Sequence, residues 1–188
     1  AAVSPTLEQH LQELPTRCYG TYGMTETVSH IALREINGER KSSAYFALGK
    51  VSFSTDERGC LIINTPHLQQ QRFITNDIVR LVDTTHFEWL GRHDNVINSG
   101  GVKLFPESIE ARIASFLSQR FFITAEDDCR LGQKAVLVIE SLPWDEAECQ
   151  QLLSRLKSCL SPYEVPKNIY FQEHLTETYS GKIVRKIK

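Results

Sequence analysis

Residues 91–110 read GRHDNVINSGGVKLFPESIE, and the rest of the chain is arranged around them. Two apolar pairs, Val96 with Ile97 and Val102 with Leu104, flank Ser99-Gly100-Gly101. That is the pattern of a β-hairpin whose tip brings bare backbone close to a ligand. Pro106 then opens an amphipathic helix with Ile109, Ile113, Phe116 and Leu117 on one face. Upstream, Arg92-His93-Asp94-Asn95 is too polar to be core. The same residues also read as an ordinary hairpin–helix unit with solvated charges, so other stretches must decide.

The bulk properties narrow the field. A chain of 188 residues holds one domain of ordinary size or two small ones. A hydrophobic fraction of 41% beside 23% charged residues is that of a soluble globular protein. The net charge of −2, with both signs interspersed, argues against a nucleic-acid groove or an anionic membrane surface as partner. No apolar run is long enough to span a bilayer. Cys18, Cys60, Cys129, Cys149 and Cys159 are odd in number and form no CxxC pair, which points to free thiols in a reducing cytoplasm. The histidines form no HxH or HExxH pair, which argues against a structural zinc site.

Before residue 91, Ser4-Pro5 caps a short helix carrying Leu7, Leu11 and Leu14. A strand over 17–23 ends in the Gly-flanked run Tyr19-Gly20-Thr21-Tyr22-Gly23, followed by Met24-Thr25-Glu26-Thr27. A hydroxyl and a carboxylate beside glycines suit a phosphate and its Mg²⁺, although a polar loop with a chance Thr-Glu pair reads as well. His30–Glu35 alternates like a strand, and Asn37-Gly38 is a turn signal. Short strands at 51–54 and 60–64, around an Asp56-to-Gly59 turn, suggest a small antiparallel sheet or barrel-like unit. Residues 73–77, FITND, lead into a strand over 78–82 and set Asp77 at its start. There a carboxylate accepts from the paired hydroxyls of a ribose, or is simply a turn aspartate. A further strand covers 86–90, with Trp89 packed.

After the hairpin and its helix come strands at 121–124 and 135–139. The second is a continuous apolar run expected of an interior strand. Asp145 to Glu148 is a capping box opening a helix with Leu152, Leu153, Leu156 and Leu160 on one side, stopped by Ser161-Pro162. A strand at 167–171 and the turn-prone loop Thr178-Tyr179-Ser180-Gly181-Lys182 precede 183–187. The second half is therefore a β-β-α-β-β-α-β unit, and the fold class is α+β.

Four stretches now stand in fixed order: YGMTE, FITND, GRHDNVINSGGVKLFPESIE and SGKIVRK. That order resembles the adenylate-forming enzymes, the superfamily of acyl-CoA synthetases, firefly luciferases and peptide-synthetase adenylation domains. Tyr22 to His30 and the run INSGGVKLFP resemble in particular the o-succinylbenzoate–CoA ligases of menaquinone biosynthesis. The resemblance implies that 1–91 is the last part of a large AMP-binding domain and 92–188 a small C-terminal lid, hinged near Asp94. The superfamily's Ser/Thr/Gly-rich phosphate loop has no counterpart in these residues, so the 188-residue chain alone is expected to be inactive.

The implied reaction joins a carboxylic acid to coenzyme A at the expense of ATP, through an acyl adenylate. By resemblance Thr25 touches the phosphates, Glu26 helps hold Mg²⁺, and Asp77 binds both ribose hydroxyls with Arg92 assisting. Tyr22 and Gly23 lie near the adenine and the acyl pocket. Lys182 bridges carboxylate and phosphate oxygens in the first step. A swing of the small domain about Asp94 then presents Ser99, Gly100, Gly101 and Lys103 to the coenzyme A arm. Two further readings stay open: a ligase or carrier-loading domain for another acid, and a shortened module that binds a nucleotide or partner without catalysis. The lysine loop departs from the superfamily's LPRTxxGK pattern at Thr176 and Glu177.

Overall fold

The computed structural model describes residues 3, 5–179 and 181–187. Ser4, expected as a helix cap, and Ser180 of the lysine loop lie outside them. The chain forms two compact units, Ala1–Asp94 and Asn95–Lys188. The fold is of the α+β class expected from the sequence. No helix among the described residues is long and apolar enough to cross a membrane.

In the first unit, helix α1 (Pro5–Gln12) precedes seven strands. These are β1 (Tyr19–Gly23), β2 (His30–Glu35), β3 (Ala44–Ala47), β4 (Ser52–Thr55), β5 (Cys60–Asn64), β6 (Arg72–Asp83) and β7 (His86–Arg92). They form one antiparallel sheet in the order β1-β2-β3-β7-β6-β5-β4. Ile31, Phe53, Leu61, Ile63, Phe73, Val79 and Phe87 make its core. Asn37 is buried, which its full set of partners permits. Its amide nitrogen donates to the carbonyls of Leu11, Leu14 and Thr16, and its oxygen accepts from the Cys18 N–H. That turn residue therefore ties the chain after α1 to the sheet.

Two expectations need correction. Strand β3 is not apparent in the sequence, yet it joins β2 to β7 near the middle of the sheet. Asp77 is not at a strand start. It lies inside the twelve-residue β6, opposite Arg92 and just before a register shift between Ile78 and Val79. A shift of this kind re-aims the side chains around it.

In the second unit, β8 (Ile97–Ser99) and β9 (Val102–Leu104) form the hairpin. Ser99 pairs with Val102, leaving a two-residue Gly100-Gly101 turn with φ of +59° and +83°. Both central residues of such a turn need positive φ, which is why both are glycine. Helix α2 (Pro106–Ile113) follows, then β10 (Phe121–Asp128), β11 (Gly132–Glu140), α3 (Glu146–Leu156) and β12 (Ile169–Gln172). The strand path is β10-β11-β8-β9, with β12 parallel to β11. The Asp145 and Glu148 capping box opens α3 as expected. Ile109 and Ile113 of α2 and Leu152 and Leu156 of α3 bury one face of the sheet, over Ile123, Leu137 and Ile139. On the other face Phe122 and Val138 are covered by Leu175 and Ile183, so the segment after β12 lies along the sheet.

Candidate functional site

In the first unit four of the candidate residues meet: Tyr22, Asp77, Arg92 and Asp94. Burial, then the neighbouring Asp77 carboxylate, pushes the Tyr22 hydroxyl far above its ordinary titration range, so it remains a donor. It donates to Asp77 Oδ2 at 2.6 Å. Arg92 Nη1 lies 3.4 Å from Asp77 Oδ1, and Arg92 Nη2 lies 3.5 Å from Asp94 Oδ2. The Tyr22 ring is set edge-on to Phe87 at 5.1 Å between centroids, which fixes its hydroxyl. Each carboxylate oxygen offers about two lone-pair sites, so Asp77 keeps acceptor capacity after these contacts.

Two nearby residues, Thr75 within FITND and Arg58 in the Asp56-to-Gly59 turn, support the cluster. Thr75 is buried; its Oγ1 donates to the Leu61 carbonyl at 2.9 Å and accepts from the Asp77 N–H at 3.1 Å. Arg58 donates to the Thr75 carbonyl and the Asn76 side chain. They brace the backbone on which Asp77 sits.

Thr25 and Glu26 lie apart from this cluster, in a single 3-10 turn after β1. Buried Thr27 knots that turn. Its hydroxyl accepts from the Met24 N–H at 3.1 Å and reaches the carbonyls of Met24 and Ser29, each at 2.9 Å. The Thr25 and Glu26 side chains are exposed and make no hydrogen bond among the described residues. Val28 closes the turn at φ +67° with its side chain 82% exposed, a conformation that β-branched residues avoid. Gly23 underlies the turn so closely that a Cβ there would stand 2.5 Å from the Ser29 carbonyl oxygen.

No group of three potential metal-ligating side chains occurs among the described residues. A lone exposed carboxylate such as Glu26 suits a Mg²⁺ that arrives on a nucleotide and keeps phosphate and water ligands, not one caged by protein.

In the second unit the candidates separate into two places. The Gly100 N–H donates to the Leu131 carbonyl at 2.8 Å, and Ser99 pairs with Gly132, which sets the glycine turn beside the start of β11. A Cβ on Gly100 would lie 3.1 Å from Leu131 and 3.6 Å from the half-exposed Tyr163 ring, a neighbour that sequence spacing does not reveal. Ser99 is fully buried and its Oγ has no partner among the described residues. Lys103 is exposed on β9.

Lys182 sits at the other end of β11. Its loop closes through Thr178 N–H to the Lys182 carbonyl at 2.8 Å and Gly181 N–H to the Thr178 carbonyl at 2.9 Å. Glu177 bridges to Ile183 and pairs with Arg120, which also faces Glu140 at 3.5 Å. The carboxylate at 177, a departure from the superfamily pattern, is thus compensated within the unit. The Lys182 ammonium is exposed and makes no ion pair among the described residues. From Gly132 to Glu140 the strand covers roughly 27 Å at about 3.4 Å per residue, so lysine loop and glycine turn occupy opposite ends.

No protein-family model matches the chain. A crystal structure of an acyl-CoA synthetase (AMP-forming)/AMP-acid ligase II-like protein from Dyadobacter fermentans is 42% identical, with a TM-score of 0.52 over 98% of this chain and 54% of that one. The 2-succinylbenzoate–CoA ligase of Lactococcus lactis is 29% identical over 93% of this chain and 42% of its own length. The chain belongs to the adenylate-forming acyl-CoA synthetase superfamily. A further superfamily structure, o-succinylbenzoate CoA synthetase from Bacillus subtilis, shares the fold at a TM-score of 0.73 and 19% identity, over 98% of this chain and 43% of that one. The chain spans about half or less of the superfamily members it matches.

Proposed function

We propose that this chain serves an AMP-forming carboxylic acid–CoA ligase. In the first step the substrate carboxylate attacks the α-phosphorus of ATP and pyrophosphate leaves. In the second, the thiol of coenzyme A attacks the acyl carbon, AMP leaves, and the thiol proton is released. The observation that carries this reading is the placement of an exposed ammonium, without an ion pair among the described residues, and a bare glycine turn at opposite ends of one β-hairpin. A two-step reaction over one pocket calls for such a lid, because each step needs a different face.

In this reading Lys182 stabilises the negative charge that builds between carboxylate and phosphate, a task suited to a point charge on a flexible stem. Asp77, oriented by Tyr22 and Arg92, accepts the two ribose hydroxyls. Gly23 and Tyr22 border the adenine and acyl pockets. Thr25 meets phosphate oxygen, and Glu26 offers one oxygen to the Mg²⁺ that accompanies ATP. After rotation about Asp94, the backbone of Ser99, Gly100 and Gly101 lines the path of the pantetheine arm, with Lys103 and Tyr163 beside it. The glycines matter there because a side chain would narrow that path.

For the acid, o-succinylbenzoate is the reading we favour over another aryl or fatty acid. It is supported by two 2-succinylbenzoate–CoA ligases that align with 89% and 93% of the chain, against 60% for human mitochondrial ACSM5. The test is acid-dependent pyrophosphate exchange by the whole protein that carries this chain, across a panel of aromatic and aliphatic acids. Preference for an unrelated acid would overturn the substrate, and no exchange with any acid would overturn the ligase. Lys182→Ala is expected to abolish adenylate formation while sparing thioester formation from supplied acyl adenylate. Equal loss of both contradicts the role given to Lys182.

A further inference from the structure

Strand β10 has β11 on one side and, among the described residues, no strand on the other. On its free edge the Ile123 N–H donates to Glu110 Oε1 at 2.7 Å, and the Ile123 carbonyl accepts from Arg185 Nη1 at 2.8 Å. Glu110 and Arg185 also pair with each other, Nη2 to Oε2 at 2.8 Å and Nη1 to Oε1. One carboxylate on α2 and one guanidinium on the C-terminal segment thus close around the edge like a clasp. A free strand edge needs cover of this kind, and a two-pronged pair supplies it with fixed geometry.

The clasp joins more than two elements. Arg185 Nη2 lies 3.7 Å from Glu107 Oε1, and that oxygen accepts from the Asn95 side chain. Asn95 is the first residue of the second unit. The Thr124 hydroxyl donates to the Arg185 carbonyl at 3.3 Å, so the backbone here is held as well. Lys182 stands three residues before Arg185, within roughly 10 Å of extended chain. On its other side the loop is anchored by Glu177 to Arg120. The exposed ammonium therefore stands on a loop whose neck is the Glu177–Ile183 bridge and the Val184 N–H to Thr176 carbonyl bond, and the first ion pair downstream of that neck is the clasp.

We propose that Glu110 and Arg185 are positioning residues for Lys182: their clasp across the free edge of β10 holds the C-terminal segment so that the lysine enters the adenylate-forming site at one height and angle. The proposal rests on the ligase reading above. It assigns the clasp to the first step alone, because the glycine turn lies at the far end of β11 and draws its support from Leu131 and Gly132.

The test uses the whole protein with Glu110→Gln, Arg185→Gln and Arg185→Lys. Acid-dependent pyrophosphate exchange is expected to fall roughly 10- to 100-fold in kcat for the two neutral variants, with KM for ATP little changed. Thioester formation from supplied acyl adenylate stays within about twofold, and Arg185→Lys, which keeps the charge without the two-pronged grip, recovers part of the loss. Loss of both half-reactions together, or of neither, overturns the positioning role. Hydrogen exchange of the amides in 183–187 gives a readout independent of catalysis. It is expected to quicken in the neutral variants, and unchanged exchange overturns the clasp even where the wild type shows no pyrophosphate exchange and the ligase reading itself has failed. Arg185→Lys keeps both measurements available should a neutral variant not fold.

Discussion

Gly23→Ala tests the geometry under the Thr25–Glu26 turn. The added methyl would stand 2.5 Å from the Ser29 carbonyl oxygen and 2.8 Å from His30 Cα. Both are backbone atoms and neither can rotate away. Bringing the nearer contact out to an ordinary distance of about 3.4 Å requires β1 and β2 to part by roughly 0.9 Å, where their register already shifts between Tyr22 and Gly23. Overpacking of this kind costs about 1–3 kcal/mol, and unyielding backbone puts this case near 2–3 kcal/mol. Gly20→Ala, in the same strand, is the control. Its nearest contacts are 3.7 Å, to Arg34 and Ile36, and its φ is not in the left-handed region, so the methyl fits. That substitution should be neutral or stabilise by up to about 1 kcal/mol, through the unfolded chain's reduced freedom. Urea denaturation therefore gives a lower midpoint for Gly23→Ala and an unchanged or higher one for Gly20→Ala. On the ligase reading, a displacement near 1 Å under the Thr25–Glu26 turn should also cut pyrophosphate exchange by about 100-fold in Gly23→Ala. A Gly23→Ala protein within about 0.5 kcal/mol of wild type would refute the steric argument, because no side-chain movement relieves those two contacts.

Tyr22→Phe removes the 2.6 Å hydrogen bond to Asp77 and should cost about 1.5–3 kcal/mol by urea denaturation, the range for a bond to a charged acceptor. Val28→Gly relieves a φ of +67° and should stabilise by roughly 0.5–1.5 kcal/mol, the strain less glycine's extra chain entropy; a loss of stability would show that Val28 is not strained. The Asp83 carboxyl is held at about 2, below its usual 3.8, by the Thr85 hydroxyl and N–H and by His86. A lowered carboxylate contributes stability above its unfolded value and loses it on acidification, so this contribution disappears between about pH 4 and pH 2. Asp83→Asn should flatten that part of the stability–pH curve measured by urea denaturation. For Glu110 the direction is opposite, because burial raises its carboxyl despite Arg185. Its contribution favours the acid side and fades as pH rises through its folded value, so Glu110→Gln should remove a component that weakens toward neutral pH.

What the sequence discloses of this molecule depends on how local each cause is. The Gly100-Gly101 turn, the Asp145–Glu148 cap and the apolar run of β11 are each fixed by residues within one or two turns of chain, and each appears where the pattern puts it. Strand β3 has four half-buried residues and no alternation, so periodicity is silent, although pairing on both sides makes it a strand. FITND reads as a turn leading into a strand because Thr, Asn and Asp favour turns; pairing with β5 and β7 overrides that preference. The same divide runs through the candidate site. The distinctive residues 22, 77, 92 and 182 stand out in motifs, whereas Thr75, Arg58, Tyr163 and the Glu110–Arg185 pairing depend on contacts across 14 to 75 positions of chain.

The two sheets use irregularity differently, and the difference bears on mechanism. The strand pairs around Asp77 carry register shifts, between Cys60 and Ile62 on one side and between Ile78 and Val79 on the other. Such shifts aim a side chain, here the carboxylate that Tyr22 and Arg92 hold. The β10–β11 pair runs from Phe121 opposite Ile139 to Asp128 opposite Gly132 without a shift. It is also fastened at each end, by the Leu131 carbonyl to Gly100 and by the Glu140 carboxylate to the Leu175 N–H. A regular, doubly fastened hairpin of that length is a strut. On the ligase reading, its stiffness is what lets one rotation near Asp94 withdraw the ammonium and bring in the glycine turn. A bulge inserted in the middle of β10 would bend the strut and separate the two half-reactions even with every reacting residue intact.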